Sequence, residues 1–314
     1  MQTETIKPET KARTKEQKAP KTQTPTNKTW NLMELTSNQV AEILKKTDVV
    51  LIPTGSCERH GHHLPLGCDS FQALTIASRA AAKAQVPHTN VVWTGYSPHH
   101  MRRPGERTGT ITLRGETLRR LYYDIGRSLI YHGFSKLIYV NYHGSNIKVL
   151  DDVLRRIRYE TGAFVACYQH SLERQISLIK DLIAKGREDE TLWKHSTWHA
   201  AECETSMMLR YNPNFVQMET AVADTAHAPA WLGDRFKKVD GTATVEFEGA
   251  ENIWMPMDHY EYSDSATIGD PRAANPELGE ALFERMSDHL ADFARAVKDI
   301  KTEIKERDWA ERTW

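Results

Sequence analysis

Residues 48–55 read Asp-Val-Val-Leu-Ile-Pro-Thr-Gly, an unbroken aliphatic run closed by Pro53 and Gly55. A strand with one face in water would alternate apolar and polar side chains. This one does not, so both its faces are covered, which is the habit of parallel sheets. Runs of the same kind stand at residues 90–93, 136–141 and 163–168, with helical patterns over 71–85, 116–132 and 147–160 between them. Strands that alternate with helices force right-handed crossovers. The expected fold is therefore α/β, a three-layer α/β/α sandwich with a mostly parallel central sheet and ligands at the carboxyl ends of its strands.

Around that core the spacing predicts helices over residues 38–46, about 172–185 and about 200–209, then an irregular stretch holding Trp231 and Trp254, then a closing helix from Pro276 to about Glu306. Residues 1–28 hold seven Lys/Arg, three Glu and three Pro with almost nothing apolar, so they are expected to form a disordered tail. No repeat or linker divides the remainder, and residues 29–314 are expected to be one domain. The 41 Lys+Arg against 42 Asp+Glu leave a formal net charge of -1. Such a chain lacks the field that gathers nucleic acid or an anionic membrane. No run approaches the roughly 20 apolar residues of a membrane span, so a soluble, cytoplasmic protein is expected. Cys57, Cys68, Cys167 and Cys203 include no CxxC pair and do not read as a disulfide framework.

The chemistry-bearing residues gather where such a fold would put its ligand. After the first strand comes Gly55-Ser56-Cys57-Glu58-Arg59-His60-Gly61-His62-His63-Leu64-Pro65-Leu66-Gly67-Cys68-Asp69, two carboxylates and three imidazoles in a glycine-punctuated loop. Carboxylate oxygen with imidazole nitrogen suits Zn, Mn, Fe or Co. In an extended loop Glu58 and His60, two apart, project the same way, and Asp69 could bridge to a second ion. The competing reading is a polar surface loop with incidental histidines. The 136–141 run ends in Asn141-Tyr142-His143-Gly144-Ser145-Asn146, so His143 reaches the same sheet edge as the Glu58 loop. Alone it would read as a strand-end histidine bonded to backbone. In Trp198-His199-Ala200-Ala201-Glu202-Cys203-Glu204-Thr205-Ser206, His199 and Glu202 stand three apart and would share a helical face, one binding metal and the other moving protons. Glu204 reads equally well as a first-turn acid that favours the helix dipole.

Together these three pieces resemble the creatininase (creatinine amidohydrolase) family. Its pattern is a Gly-Ser-x-Glu-x-His-Gly-x-His-Leu-Pro-Leu-x-x-Asp loop, an Asn-x-His-Gly-x-Asn turn and a His-Ala-Gly-Glu-x-Glu-Thr-Ser segment, in that order. The resemblance runs from about Thr29 to Val297. It includes Pro98-His99-His100 and Pro104-Gly105, close to the family's Phe-Pro-Gly-Thr connection, but Glu106-Arg107-Thr108-Gly109 intervene before Thr110. The resemblance implies a binuclear metal hydrolase, usually a hexamer built from dimers, with two divalent ions (Zn, Mn or Fe) per chain. On it, Glu58, His60, Asp69 and His143 fall on metal-ligand positions, with Asp69 the bridge, and His199 on the catalytic position. Creatinine-cleaving members complete the site with a Glu two residues after the strand-end His, where this chain has Ser145. Other relatives use the Glu three after the catalytic His, which makes Glu202 the expected fifth ligand. The gating Trp of creatinine-cleaving members corresponds to His195, with Trp193 and Trp198 nearby, which argues against creatinine as substrate.

Substrate contacts are expected from His99, His100, Arg103, Ser145 and Trp198. Arg102 and Arg103 suit a carboxylate, a phosphate or several hydroxyls; the alternative is a solvated basic loop. Of His62 and His63, one would orient a ligand and the other face solvent. Trp231 and Trp254 would line the pocket or an oligomer contact. The expected activity is hydrolysis at a carbonyl of a small cyclic substrate, a cyclic amide or an oxidised cyclitol, by metal-activated hydroxide. The alternatives are deformylation of a formamide, trimming of a peptide, or a member that binds a small molecule without turnover.

Overall fold

The structure, a computed structural model, describes residues 29–169, 172–183, 198–238 and 240–313. The expected tail, Trp193 and His195 lie outside the described residues. Three parallel strands, β1 (Val49–Thr54), β2 (Lys136–Asn141) and β3 (Phe164–Gln169), form the central sheet in the order β1-β2-β3. Every residue of β1 and β2 is buried, as the unbroken apolar runs require. The register pairs Thr54 with Asn141 and Asn141 with Gln169, so the carboxyl ends of the three strands are level.

The helices are α1 (Ser37–Leu44), α2 (Cys68–Ala84), α3 (Gly115–Tyr131), α4 (Ile147–Thr161), α5 (Leu172–Ile183), α6 (Glu202–Tyr211), α7 (His259–Tyr262) and α8 (Pro276–Lys298). Alternate residues of each strand serve opposite faces. Val49, Leu51, Ile138 and Val140 pack with α2, α5, α6 and α8. Val50, Ile52, Leu137 and Tyr139 pack with α3 and α4. The three-layer α/β/α expectation is met. Among the described residues no helix is long and apolar enough to cross a membrane.

The run at 90–93 departs from its expectation. It lies beside β1, with the Val92 amide donating to Pro53 and the Gly55 amide to Val92, yet it forms isolated bridges and not a strand. Side chains here take up the backbone: Asn90 Oδ1 accepts from the Val91 amide and Thr89 Oγ1 donates to the Asn90 carbonyl. Such local bonds compete with the ladder. The stretch expected to be irregular instead contains an antiparallel sheet of β4 (Phe236–Lys238), β5 (Thr244–Phe247) and β6 (Ala250–Trp254). Its strands are short and mostly polar, so only Val245 of β5 is fully buried and no alternation reveals them. The closing helix stops at Lys298 and not near Glu306.

α6 and α8 cross closely where Gly279 faces Ser206, and a Cβ on Gly279 would collide with the Ser206 carbonyl. Gly279→Ala is expected to cost about 1–3 kcal/mol, the range for overpacked cores. The check is a lower urea midpoint at unchanged slope.

Candidate metal centre

Two strand ends and one helix start build the centre. Because β1 and β2 end level, the loop after β1 and the turn after β2 leave the sheet side by side. Asn146 ties them together, donating to the Gly55 carbonyl at 3.0 Å and to Asn141 Oδ1 at 3.1 Å. The loop closes on itself through the Glu58 amide, which donates to the Leu66 carbonyl at 2.9 Å. Gly55 has no alternative here, since a Cβ would strike the Ser70 backbone. α2 then begins at Cys68 with Asp69 in its first turn, and Ser56 Oγ donates to Asp69 Oδ2 at 2.7 Å.

Asp69 stands between two sets of donors. Its Oδ2 is 3.3 Å from His143 Nδ1, which is 3.2 Å from Glu58 Oε2. Its Oδ1 is 3.1 Å from His60 Nε2, which is 3.8 Å from Glu204 Oε2. All five side chains are buried. The far nitrogen of each ring is engaged by a backbone carbonyl: His143 Nε2 by Tyr96 at 3.0 Å and His60 Nδ1 by Glu58 at 3.1 Å. A carbonyl only accepts, so each imidazole directs its N–H there and turns its other nitrogen on the carboxylates. Glu58 Oε2 accordingly has no hydrogen-bond partner among the described residues. Carboxylate oxygens and imidazole nitrogens that converge in a dry site are what a cation satisfies once it displaces the rings' second protons, and this donor set fits a divalent transition ion. Glu58, Asp69 and His143 are close enough to hold one ion, and His60 and Asp69 also lie together with Cys68. Burial first, then the neighbouring carboxylates, raises the Cys68 thiol well above its usual range, so it stays protonated.

Ionisation follows the same contacts. Burial alone would raise the Glu58 carboxyl, but His143, helped by His60, brings it down to about 2. Asp69 is held below the usual carboxylate range because His60 and His143 outweigh its burial. Burial would lower His60, yet Asp69, Glu204 and Glu58 lift it to about 10. His143 is raised in the same way by Glu58 and Asp69. Glu204 follows its burial and rises to about 7.

His199 lies against this centre, its ring 4.1 Å from that of His60. Its Nε2 is 2.8 Å from the Arg59 carbonyl, which fixes the proton there, and Nδ1 faces Glu58 Oε1 at 3.8 Å with its lone pair free. Burial, then the charge of His60, lowers the ring to about 3, so it is neutral. The expectation that His199 and Glu202 share a helical face fails. α6 starts only at Glu202, and Ala200 adopts a left-handed φ of 53°. That conformation costs a non-glycine residue on the order of 1–3 kcal/mol, and it is held by the Ala200 amide donating to Glu204 Oε2 at 2.7 Å. Glu202 is buried, and neither it nor Glu204 belongs to the donor groups found among the described residues. Glu204, two residues further on, brings Oε2 to 3.8 Å from His60 Nε2.

The expected substrate contacts divide. His100 is buried with Nε2 3.4 Å from Glu58 Oε1, His99 stacks toward His143 with ring centres 6.3 Å apart, and Ser145 Oγ is 3.5 Å from His99 Nε2. Arg103 sits 5.4 Å over the Tyr260 ring, and Arg102 pairs with Glu106. Trp198 packs with Val245 and Tyr262, beside the antiparallel sheet. Of the two adjoining histidines, His63 is the buried one, its Nε2 2.9 Å from Thr205 Oγ1, whereas His62 is exposed. Trp231 and Trp254 are both largely exposed. Sequence reasoning missed His259, which stacks on His100 at 4.5 Å from a segment with no readable periodicity.

Residues 33–294 match the family model for creatininase, creatinine amidohydrolase. The chain belongs to the creatininase family. It is 28% identical over 192 residues to 3-dehydro-scyllo-inosose hydrolase of Thermotoga maritima, covering 60% of this chain but only 58% of that protein. It is 27% identical to a mycofactocin precursor peptide peptidase of Mycolicibacterium smegmatis, over 78% of this chain and 83% of that one. It is 25% identical to creatinine amidohydrolase of Pseudomonas putida, over 79% and 88%. The crystal structure of creatinine amidohydrolase superposes with a TM-score of 0.66 at 24% identity, covering 88% of this chain and all of that one, and shows the shared fold. A zinc-zinc form and a manganese form of creatininase each match at a TM-score of 0.65 and 25% identity, over 87% of this chain and 100% of theirs.

Proposed function

We propose that this creatininase-family hydrolase is binuclear and attacks a carbonyl of a small cyclic substrate. In this reading Glu58, Asp69 and His143 hold one divalent ion, His60, Asp69 and Glu204 hold a second, and His199 moves the proton. The observation that carries it is the position of Asp69, whose two oxygens face His143 and His60 separately at 3.3 and 3.1 Å. Bound divalent ions would supply Lewis acidity toward a carbonyl oxygen and acidify water enough for hydroxide to be available near neutral pH.

The protein's own groups do the rest. Neutral His199 takes a proton at Nδ1 as water adds to the carbonyl carbon, and delivers it to the leaving atom when the ring bond breaks. The Arg59 carbonyl holds the ring in the required tautomer and stabilises the imidazolium while it lasts. Tyr96 and the Glu58 carbonyl orient His143 and His60 in the same manner. Zinc and manganese are favoured as the ions by the donor set and by the zinc and manganese forms of the related structures. The relatives' names span a cyclic ketone, a peptide and a cyclic amide, so the shared step is attack on a carbonyl. An inactive, ligand-binding member is disfavoured because the carboxylate and imidazole set and a neutral, oriented His199 are all present.

The test is hydrolysis of a panel of lactams, formamides and cyclic polyhydroxyketones by chelator-treated protein before and after reloading. Activity should return only with metal, at about two ions per chain. Glu204→Gln should lose metal that Glu202→Gln keeps; the opposite result returns the fifth ligand to Glu202.

A further inference from the structure

The loop after β1 and the start of α6 are joined twice beside the centre. The loop carries His60 and, three residues on, His63, while α6 carries Glu204 and Thr205 in succession. The first join sets His60 Nε2 against Glu204 Oε2 at 3.8 Å. The second sets His63 Nε2 against Thr205 Oγ1 at 2.9 Å, with His63 1% and Thr205 0% exposed. A hydroxyl both donates and accepts, so this bond forms with either tautomer of the imidazole. His63 is fixed on other sides as well. Its carbonyl accepts from the Gln217 amide at 2.9 Å. A Cβ on Gly61 would stand 2.8 Å from His63 Nδ1 and 2.7 Å from Thr267 Oγ1, so the ring and Thr267 crowd the same side of that glycine. The segment holding Thr267 is tied to both partners: the Gly61 amide donates to the Ala266 carbonyl at 2.9 Å, and the Ile268 amide to the His199 carbonyl at 2.8 Å.

Thr205 passes the constraint on. Its hydroxyl also lies 3.5 Å from the Ala200 carbonyl, and the Ala200 amide donates to Glu204 Oε2 at 2.7 Å. The left-handed turn at Ala200 and the first turn of α6 are therefore one hydrogen-bonded piece, and the bond from His63 to Thr205 fastens that piece to the loop that carries His60. The other half of the centre has supports of its own. His143 Nε2 meets the Tyr96 carbonyl at 3.0 Å and Ser97 Oγ at 3.2 Å, and Asn146 ties the turn after β2 to the Gly55 carbonyl. None of these runs through His63. A buried histidine that served the core in general would support the two halves alike; this one braces only the side where His60 faces Glu204.

We infer that His63 is a positioning residue for the second ion alone: acting through Thr205, it sets the spacing of His60 and Glu204 while its ring bonds to neither. The inference rests on the binuclear reading, in which His60, Asp69 and Glu204 hold that ion. Calorimetric titration of zinc into the metal-free full chain reads it without turnover. The parent should take up two ions. His63→Leu and Thr205→Val should each weaken one of them roughly tenfold or more, the range for groups that stand behind metal ligands, and leave the other unchanged. Thr205→Val nearly keeps the buried volume, so it carries the test if His63→Leu does not fold. Thr205→Ser, which keeps the hydroxyl, and His63→Gln, whose amide extends toward the position of Nε2, should recover part of the loss. Because a single bond is at stake, the double variant should bind no more weakly than the worse of the two single ones. Equal weakening of both ions, additive losses in the double variant, or unaltered zinc binding in Thr205→Val would each overturn the inference. A parent that takes up only one zinc removes the binuclear reading and the inference with it, whereas two ions in the parent and no change in the variants removes the inference alone.

Discussion

An Asp69→Ala protein should purify with almost no zinc or manganese, and its turnover should fall by at least roughly a thousandfold. Lewis acidity at a carbonyl is worth several kcal/mol, and each ~1.4 kcal/mol is a factor of ten in rate. The effect is large because Asp69 touches both halves of the centre: what remains is Glu58 beside His143 and Glu204 at 3.8 Å from His60. Asp69→Asn, which keeps the side-chain shape beside Ser56 Oγ, should lose metal too while melting near the parent temperature, and this separates loss of charge from loss of fold. The same pair of variants tests the proton linkage. In the metal-free chain, burial works to lower the His60 imidazolium and Asp69 is the largest influence raising it, to about 10. A cation must therefore displace the second proton of this ring. Zinc loading should release protons and weaken as pH falls, and the dependence should flatten in Asp69→Asn. Elemental analysis that finds two ions per chain in Asp69→Ala removes the shared-ligand assignment.

What could be read from the sequence depended on whether local pattern or long-range geometry set the outcome. β1 and β2 announce themselves because burial on both faces leaves mostly apolar side chains, and the helices between them follow from their spacing. Given that order, Glu58, His60, Asp69 and His143 had to meet at one sheet edge. The 90–93 run failed where Asn90 and Thr89 satisfy backbone groups locally. The expectation that His199 and Glu202 share a helical face failed for a subtler reason. Counting residues along a helix assumes that the helix includes His199, and the left-handed turn at Ala200 breaks that count. No residue type there signals it, since an alanine and not a glycine holds the positive φ. His259 was invisible because its place depends on α7 meeting His100, a contact between residues 159 positions apart in sequence.

His199→Ala should keep its metal and its fold and still lose turnover by roughly a hundredfold to ten-thousandfold, the usual range for a proton-transferring group. The geometry sets this residue apart from the proposed ligands. Its Nε2 is committed to the Arg59 carbonyl, and only Nδ1, 3.8 Å from Glu58 Oε1, faces the centre. Deleting the ring would therefore remove the proposed base while Glu58, Asp69, His143, His60 and Glu204 all remain. The competing possibility is that His199 is itself a ligand, since its ring nitrogen also lies close to Glu58 and His60. Metal analysis and rate measurement on one sample distinguish the two: inactive protein with full metal marks the proton carrier, whereas rate and metal lost together mark a ligand. Added imidazole sharpens the comparison, because a small base that enters the vacated space should restore part of the rate to the first kind of protein. Unchanged turnover in His199→Ala would refute the assignment outright. A second contact makes the outcome informative about Glu204 as well. The Ala200 amide donates to the same Glu204 oxygen that approaches His60, so the turn that aims His199 and the proposed second ion share one carboxylate. Glu204→Gln should then impair both metal retention and the placement of His199, and its rate should not return on reloading with excess zinc.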